Sequence, residues 1–139
     1  MENAGLTQHH RSTVGGLVRY WLPPLAWMGM IYYLSAQSSL PGPPQPWFNT
    51  LLKKGAHFGV YAGLAFWWWR ALCSAQKTFP ERLSNGTVLA LVFILTVLYA
   101  ASDELHQSFT PSRHSSPWDV LLDSAGAATA LGLLRRQSK

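Results

Sequence analysis

From Thr87 to Ala101 fifteen consecutive residues carry no charge, and the chain then turns abruptly polar at Ser102-Asp103-Glu104. A run of that kind makes either a buried core helix or a membrane span. Carried on to Gln107, it is long enough as a helix to cross a hydrocarbon layer ~30 Å thick. Composition favours the membrane. Only 12% of the 139 residues are charged while 48% are hydrophobic, against roughly 25% charged in an ordinary soluble domain. Such a chain has too little polar surface to cover a water-soluble fold of one domain.

Three more segments read as spans. The first runs from Tyr20 to Ala36, with Pro23 and Pro24 predicting a bend near its start. It lies after almost twenty polar or small residues and lacks a small-residue cleavage site, so a retained helix is expected rather than a signal peptide. The second runs from Lys54 to Leu72 and closes on Trp67-Trp68-Trp69-Arg70, an interfacial pattern. Its Gly55, Gly59 and Gly63 recur every four residues, a stripe that lets another helix approach closely. The third begins near Thr87, after an expected turn at Asn85-Gly86. The fourth is Trp118 to Leu134, rich in Ala and Gly. Ser116, Pro117 and Asp119 fit the N-cap, first and third positions of that helix, close to a capping box. Between the first two spans, Pro41, Pro43, Pro44 and Pro46 end any helix. Trp47, Phe48, Leu51 and Leu52 then suggest a short interfacial helix, a lead into span two, or a loop with two buried anchors.

The expected fold is therefore all-α: a polytopic bundle of four transmembrane helices in the plasma membrane, with both termini cytoplasmic. Residues 1–18 read as an N-terminal tail, 19–135 as the membrane domain and 136–139 as a C-terminal tail. Eight of the eleven Lys and Arg (11, 19, 70, 77, 82, 135, 136, 139) then lie inside, and Lys53, Lys54 and Arg113 outside, in accord with the positive-inside rule. The net charge of +5 comes without a basic helix interleaved with aromatics, so no nucleic-acid partner is expected. Cys73 stands alone, which excludes an intrachain disulfide and a cysteine zinc cluster.

This topology gathers ionisable residues at the outer face. His57 and Tyr61 share a face of span two. Asp103, Glu104, His106 and Gln107 close span three, where the helix dipole disfavours negative charge and the carboxylates need a donor, cation or proton. Arg113, Asp119 and Asp123 follow in the loop and first turns of span four. Intramembrane carboxylates commonly mark function. Each residue has a plainer reading too. Asp119 could serve only as a helix cap, His57 as a packing residue, and Arg113 as a lipid-headgroup or Glu104 partner. Lys53 and Lys54 read as side chains reaching for the interface. The histidines and carboxylates suit a divalent metal such as zinc or manganese, but there is no HExxH and DELHQ lacks a two-histidine spacing. A divalent metal is left open, and no organic cofactor is expected. Ser102 and Ser108 lie near His106 without any sign of activation.

Residues 102–132, SDELHQSFTPSRHSSPWDVLLDSAGAATALG, resemble the signature of the VanZ-like family. Residues 54–66, KGAHFGVYAGLAF, resemble its other recognisable block. The resemblance implies site roles for His57, Tyr61, Asp103, Glu104, His106, Gln107, Arg113 and Asp119. His57, Asp103, Glu104, His106 and Asp119 are then candidate catalytic residues. Tyr61, Gln107, Arg113 and Asp123 are candidate ligand-binding residues. The family often carries Asn at the position of Asp123, and PGR where this chain has PSR at 111–113. Its founding member is associated with low-level resistance to the glycopeptide teicoplanin. The implied function is an envelope protein that binds or modifies a lipid-linked or cell-wall component at the outer face, with membrane lipids as partners and catalysis left open. The alternatives are a non-catalytic membrane assembly partner and a small transporter.

Overall fold

The computed structural model describes residues 3–37, 45–78, 82–111 and 115–137, with side chains from Gly15 onward, Leu17 and Thr78 excepted. Four α-helices make up the described chain: α1 (Asn3–Ser35), α2 (Pro46–Ala75), α3 (Asn85–Ser108) and α4 (Pro117–Gln137). A short 3-10 turn at Gln76–Thr78 follows α2. No strand occurs among the described residues, in agreement with the all-α expectation.

Several element boundaries differ from those expected. Helix α1 begins at Asn3 rather than near Tyr20, so the segment read as a tail is helical here. No proline interrupts residues 3–22, and Gly15 and Gly16 each cost only ~1 kcal/mol of helix propensity. The helix also continues through Pro23 and Pro24. Helix α2 starts at Pro46, ahead of the expected Lys54, and Trp47 to Leu52 form its first turns, which is the lead into span two among the alternatives expected. Proline suits that first position because its missing N–H would have no intrahelical partner. Asn85 and Gly86 are not a separate turn. They open α3, whose N-cap is Ser84, its hydroxyl accepting the Thr87 N–H at 3.1 Å. The proline-rich stretch before Gln45 lies outside the described residues, as do Arg113 and His114.

By length and composition α3 is the one helix among the described residues that is apolar enough to cross a membrane. The other three are long enough, at 33, 30 and 21 residues. Their apolar stretches are diluted by Pro, Gly, Trp and Tyr in α1 and α2, and by Gly and two aspartates in α4.

The buried face of α3 changes character along its length, apolar at the start and polar at the end. The buried face of α3 runs Val88, Val92, Thr96, Ala100, Asp103, Glu104 and Gln107, ending in three polar residues. Its outward face carries Leu91, Ile94, Leu98 and Leu105, with Leu98 62% exposed. One core cluster joins Ala65, Val88, Val92, Ala127 and Leu131 of α2, α3 and α4. A second joins Ile31, Tyr61, Leu64 and Ala100, with Trp27 and Tyr99 against it. Two side chains tie α1 to its neighbours through backbone carbonyls: Trp27 Nε1 donates to Val60 O at 2.9 Å and Tyr99 OH to Met28 O at 2.7 Å.

The closest helix approach is between α2 and α4. A Cβ on Gly126 would collide with the Phe58 backbone. Of the expected stripe on α2, only Gly63 has a neighbour that a Cβ would meet, the Trp27 ring; Gly55 and Gly59 face open space. The α2–α4 contact is therefore made by Gly126 of α4 against the Phe58 backbone of α2, because a single small residue on one helix is enough to bring two backbones together.

Candidate functional site

Most of the sequence-predicted residues meet at one end of the bundle, in two adjoining groups. In the first, Asp103 Oδ2 accepts from the Tyr61 hydroxyl at 3.1 Å and from Gln107 Nε2 at 3.0 Å. Asp103 and Gln107 are four apart, which sets them on one face of α3. Gln107 Nε2 also lies 3.2 Å from Ser35 Oγ, linking the last turn of α1 to the network. All four side chains are buried. Ser35 carried no sequence signal for this role, since a serine at a helix end is unremarkable until the neighbouring helix is known.

The second group is His57, Glu104 and Asp123. His57 Nδ1 is 3.4 Å from Asp123 Oδ1. One ligand-capable atom from each of the three residues lies within 4.8 Å of the others. Asp123 is 1% exposed, and neither of its oxygens has a hydrogen-bond partner among the described residues. Glu104 Oε1 and His57 Nδ1 are likewise buried and unpartnered. Such groups are expensive to leave bare in a low-dielectric interior. This trio has the chemistry to hold a cation or to exchange a proton.

The other oxygen of Glu104 has a structural task. Oε2 accepts the Ser116 backbone N–H at 2.9 Å. Ser116 is the N-cap as expected, its hydroxyl accepting the Trp118 N–H at 3.3 Å. The reciprocal half of the capping box, expected from Asp119, is instead supplied by Glu104 from α3. Asp119 turns aside to Lys54, at 3.8 Å, in a partly exposed ion pair. A pair this open contributes only ~0–1 kcal/mol. Asp119 thus sits at the rim of the site, and Lys54 is a partner that the reading of a free interfacial lysine overlooked.

His106 is not brought into either group. Its ring stacks on Tyr32 of α1, centroids 4.5 Å apart, and its buried Nε2 has no partner among the described residues. At 100° per residue, His106 lies on the far side of Asp103 from Glu104. Arg113 lies outside the described residues.

A cavity of about 110 Å³ opens beside the two groups, between α1, α2 and α3. Ile31, Leu34 and Val60 form apolar wall, and Ser35, Lys53, His57, Tyr61 and Asp103 supply the polar part. The opposite end of the bundle is plainer, with Arg70 over the rings of Tyr20 and Trp67 at 5.5 and 5.4 Å.

Four helices closing over buried carboxylates, a tyrosine and a histidine at one end define an all-helical bundle with a single-ended polar core. The chain belongs to the VanZ/LLP1 family, whose model matches residues 5–136, nearly its whole length. The match agrees with the resemblance seen in residues 54–66 and 102–132. No curated protein and no solved structure matches the chain.

Proposed function

We propose that this chain is a four-span protein of the plasma membrane, both termini cytoplasmic, whose outward end binds or modifies an anionic lipid-linked or cell-wall component. The observation that carries the reading is the meeting of Asp103, Tyr61, His57 and Lys53 on the wall of a cavity whose remaining lining is mostly apolar. Apolar wall beside Lys53 and His57 suits a ligand with a hydrocarbon part and an acidic headgroup. Arg113, by its charge and place in the sequence, is a further anion contact.

The membrane reading is supported by the outward apolar face of α3 and the polar end of its buried face. The bias of Lys and Arg, eight against three, supports the orientation. A conduit through one copy is disfavoured, because the buried face of α3 from Val88 to Ala100 has no ionisable group. A second reading, a membrane assembly partner, draws on Gly55 and Gly59, whose faces are open to a further helix.

The test is binding by the purified protein in lipid nanodiscs to undecaprenyl-phosphate lipids and their sugar-linked precursors. The expected result is saturable binding that Tyr61→Phe weakens and Lys53→Glu weakens more. Absence of binding to every such lipid, with folded protein, overturns the reading. Loss of teicoplanin tolerance on deletion of the gene is the corresponding cellular readout. Capture of another membrane protein by a crosslinker at Gly59→Cys, with no lipid binding, favours the assembly reading.

A further inference from the structure

We propose that His57, Glu104 and Asp123 form a binding site for one divalent transition-metal ion, zinc in the first instance. The inference stands apart from the envelope-ligand reading, because metal uptake is measurable with no other ligand present.

The first argument is the set of bare atoms. Among the described residues, both oxygens of Asp123, itself 1% exposed, are unpartnered, and Glu104 Oε1 and His57 Nδ1 share its surroundings, buried and likewise unpartnered. A histidine–aspartate ion pair does not remove the difficulty. It would satisfy one Asp123 oxygen, and at 3.4 Å it is longer than the ~2.7–2.9 Å of a charge-assisted hydrogen bond. Asp123 Oδ2 and Glu104 Oε1 would still be bare. Among the described residues no Lys or Arg pairs with either carboxylate; Lys54 pairs with Asp119 instead.

The second argument is geometry. Three donor atoms from three helices lie within 4.8 Å of one another. A tetrahedral ion with bonds of ~2.0–2.2 Å spaces its ligands by ~3.4 Å, which is the His57–Asp123 separation. Glu104 supplies the third side, with its donor oxygen within 4.8 Å of the other two donors.

Charge is the third argument. Two carboxylates and a neutral imidazole around a divalent ion sum to zero, the favourable state for a buried site. One nitrogen and two carboxylate oxygens suit zinc, and manganese next. Three protein ligands leave a coordination position open, and His57 stands in the cavity wall, which gives an ion a way in.

The experiment uses the full chain, purified in detergent, stripped with a chelator and dialysed against zinc, manganese or cobalt alone. The expected result is one zinc retained per chain, and visible absorption bands from bound cobalt in a low-coordinate nitrogen–oxygen site. Asp123→Asn and His57→Phe should each weaken zinc binding at least about tenfold. Should Asp123→Asn fail to fold, Glu104→Gln replaces it, since the glutamine oxygen still accepts from Ser116. A chain with His9 and His10 both changed to Ala should bind zinc as before. No metal on the stripped wild type, unchanged affinity in the folded site variants, or loss of zinc with His9 and His10 overturns the proposal.

Discussion

Asp103 and Asp123 are both aspartates buried at one end of the same bundle, yet their surroundings differ. Asp103 is held by Tyr61 and Gln107, whereas Asp123 faces His57 and Glu104 with its oxygens unmatched. Replacing Tyr61 with Phe removes one donor to Asp103 and leaves the other. We expect destabilisation of about 1 kcal/mol, read as a lower Tm in detergent. Glu104 is more tightly bound into the backbone. Glu104→Ala should free the Ser116 N–H and speed hydrogen exchange over the first turn of α4, while Glu104→Gln should largely preserve its protection. These particulars also show what a linear chain reveals. The residue types at 57, 61, 103, 104, 107 and 123 announced a polar site. Helical spacing alone could pair Asp103 with Gln107, but it could not say that His106 turns to Tyr32, because that depends on which helix lies beside that face of α3. The N-cap at Ser116 was legible since it is local. Its second partner, twelve residues upstream, was not.

At the scale of the helix, close approach is decided by Gly126. Gly126→Val should push α4 off Phe58 and cost about 1–3 kcal/mol, again measured by thermal unfolding. Gly132, with nothing near its missing Cβ, is the control. Gly132→Ala should be neutral or stabilise the helix by up to ~1 kcal/mol. The repeat at 55, 59 and 63 was the more conspicuous pattern in the sequence, but among the described residues a Cβ on two of its three glycines would meet nothing. A spacing rule marks faces able to pack and does not say which of them the tertiary fold uses. Helix ends were misplaced for a related reason. Asn85-Gly86 has turn chemistry, yet Ser84 just before it offers a hydroxyl to Thr87 and lets the helix start earlier.

For the molecule as a whole, the four helices were legible from their apolar runs, while the crossing of a membrane by each of them is the part that topology must test. In a Cys73→Ser background, Ser108→Cys should react with a membrane-impermeant maleimide added outside intact cells. Arg82→Cys should react only after the cells are opened. The reverse pattern would invert the orientation. Glu104 gives the assembled fold one more property. Its carboxylate spans two places, touching the buried trio on one side and the start of α4 on the other. The two oxygens of a carboxylate move together, so an ion held at Oε1 would also act on the Ser116 N–H at the start of α4. Such a coupling runs equally in both directions: by whatever factor an ion at the trio strengthens the Ser116 cap, a contact that strengthens that cap strengthens the hold on the ion.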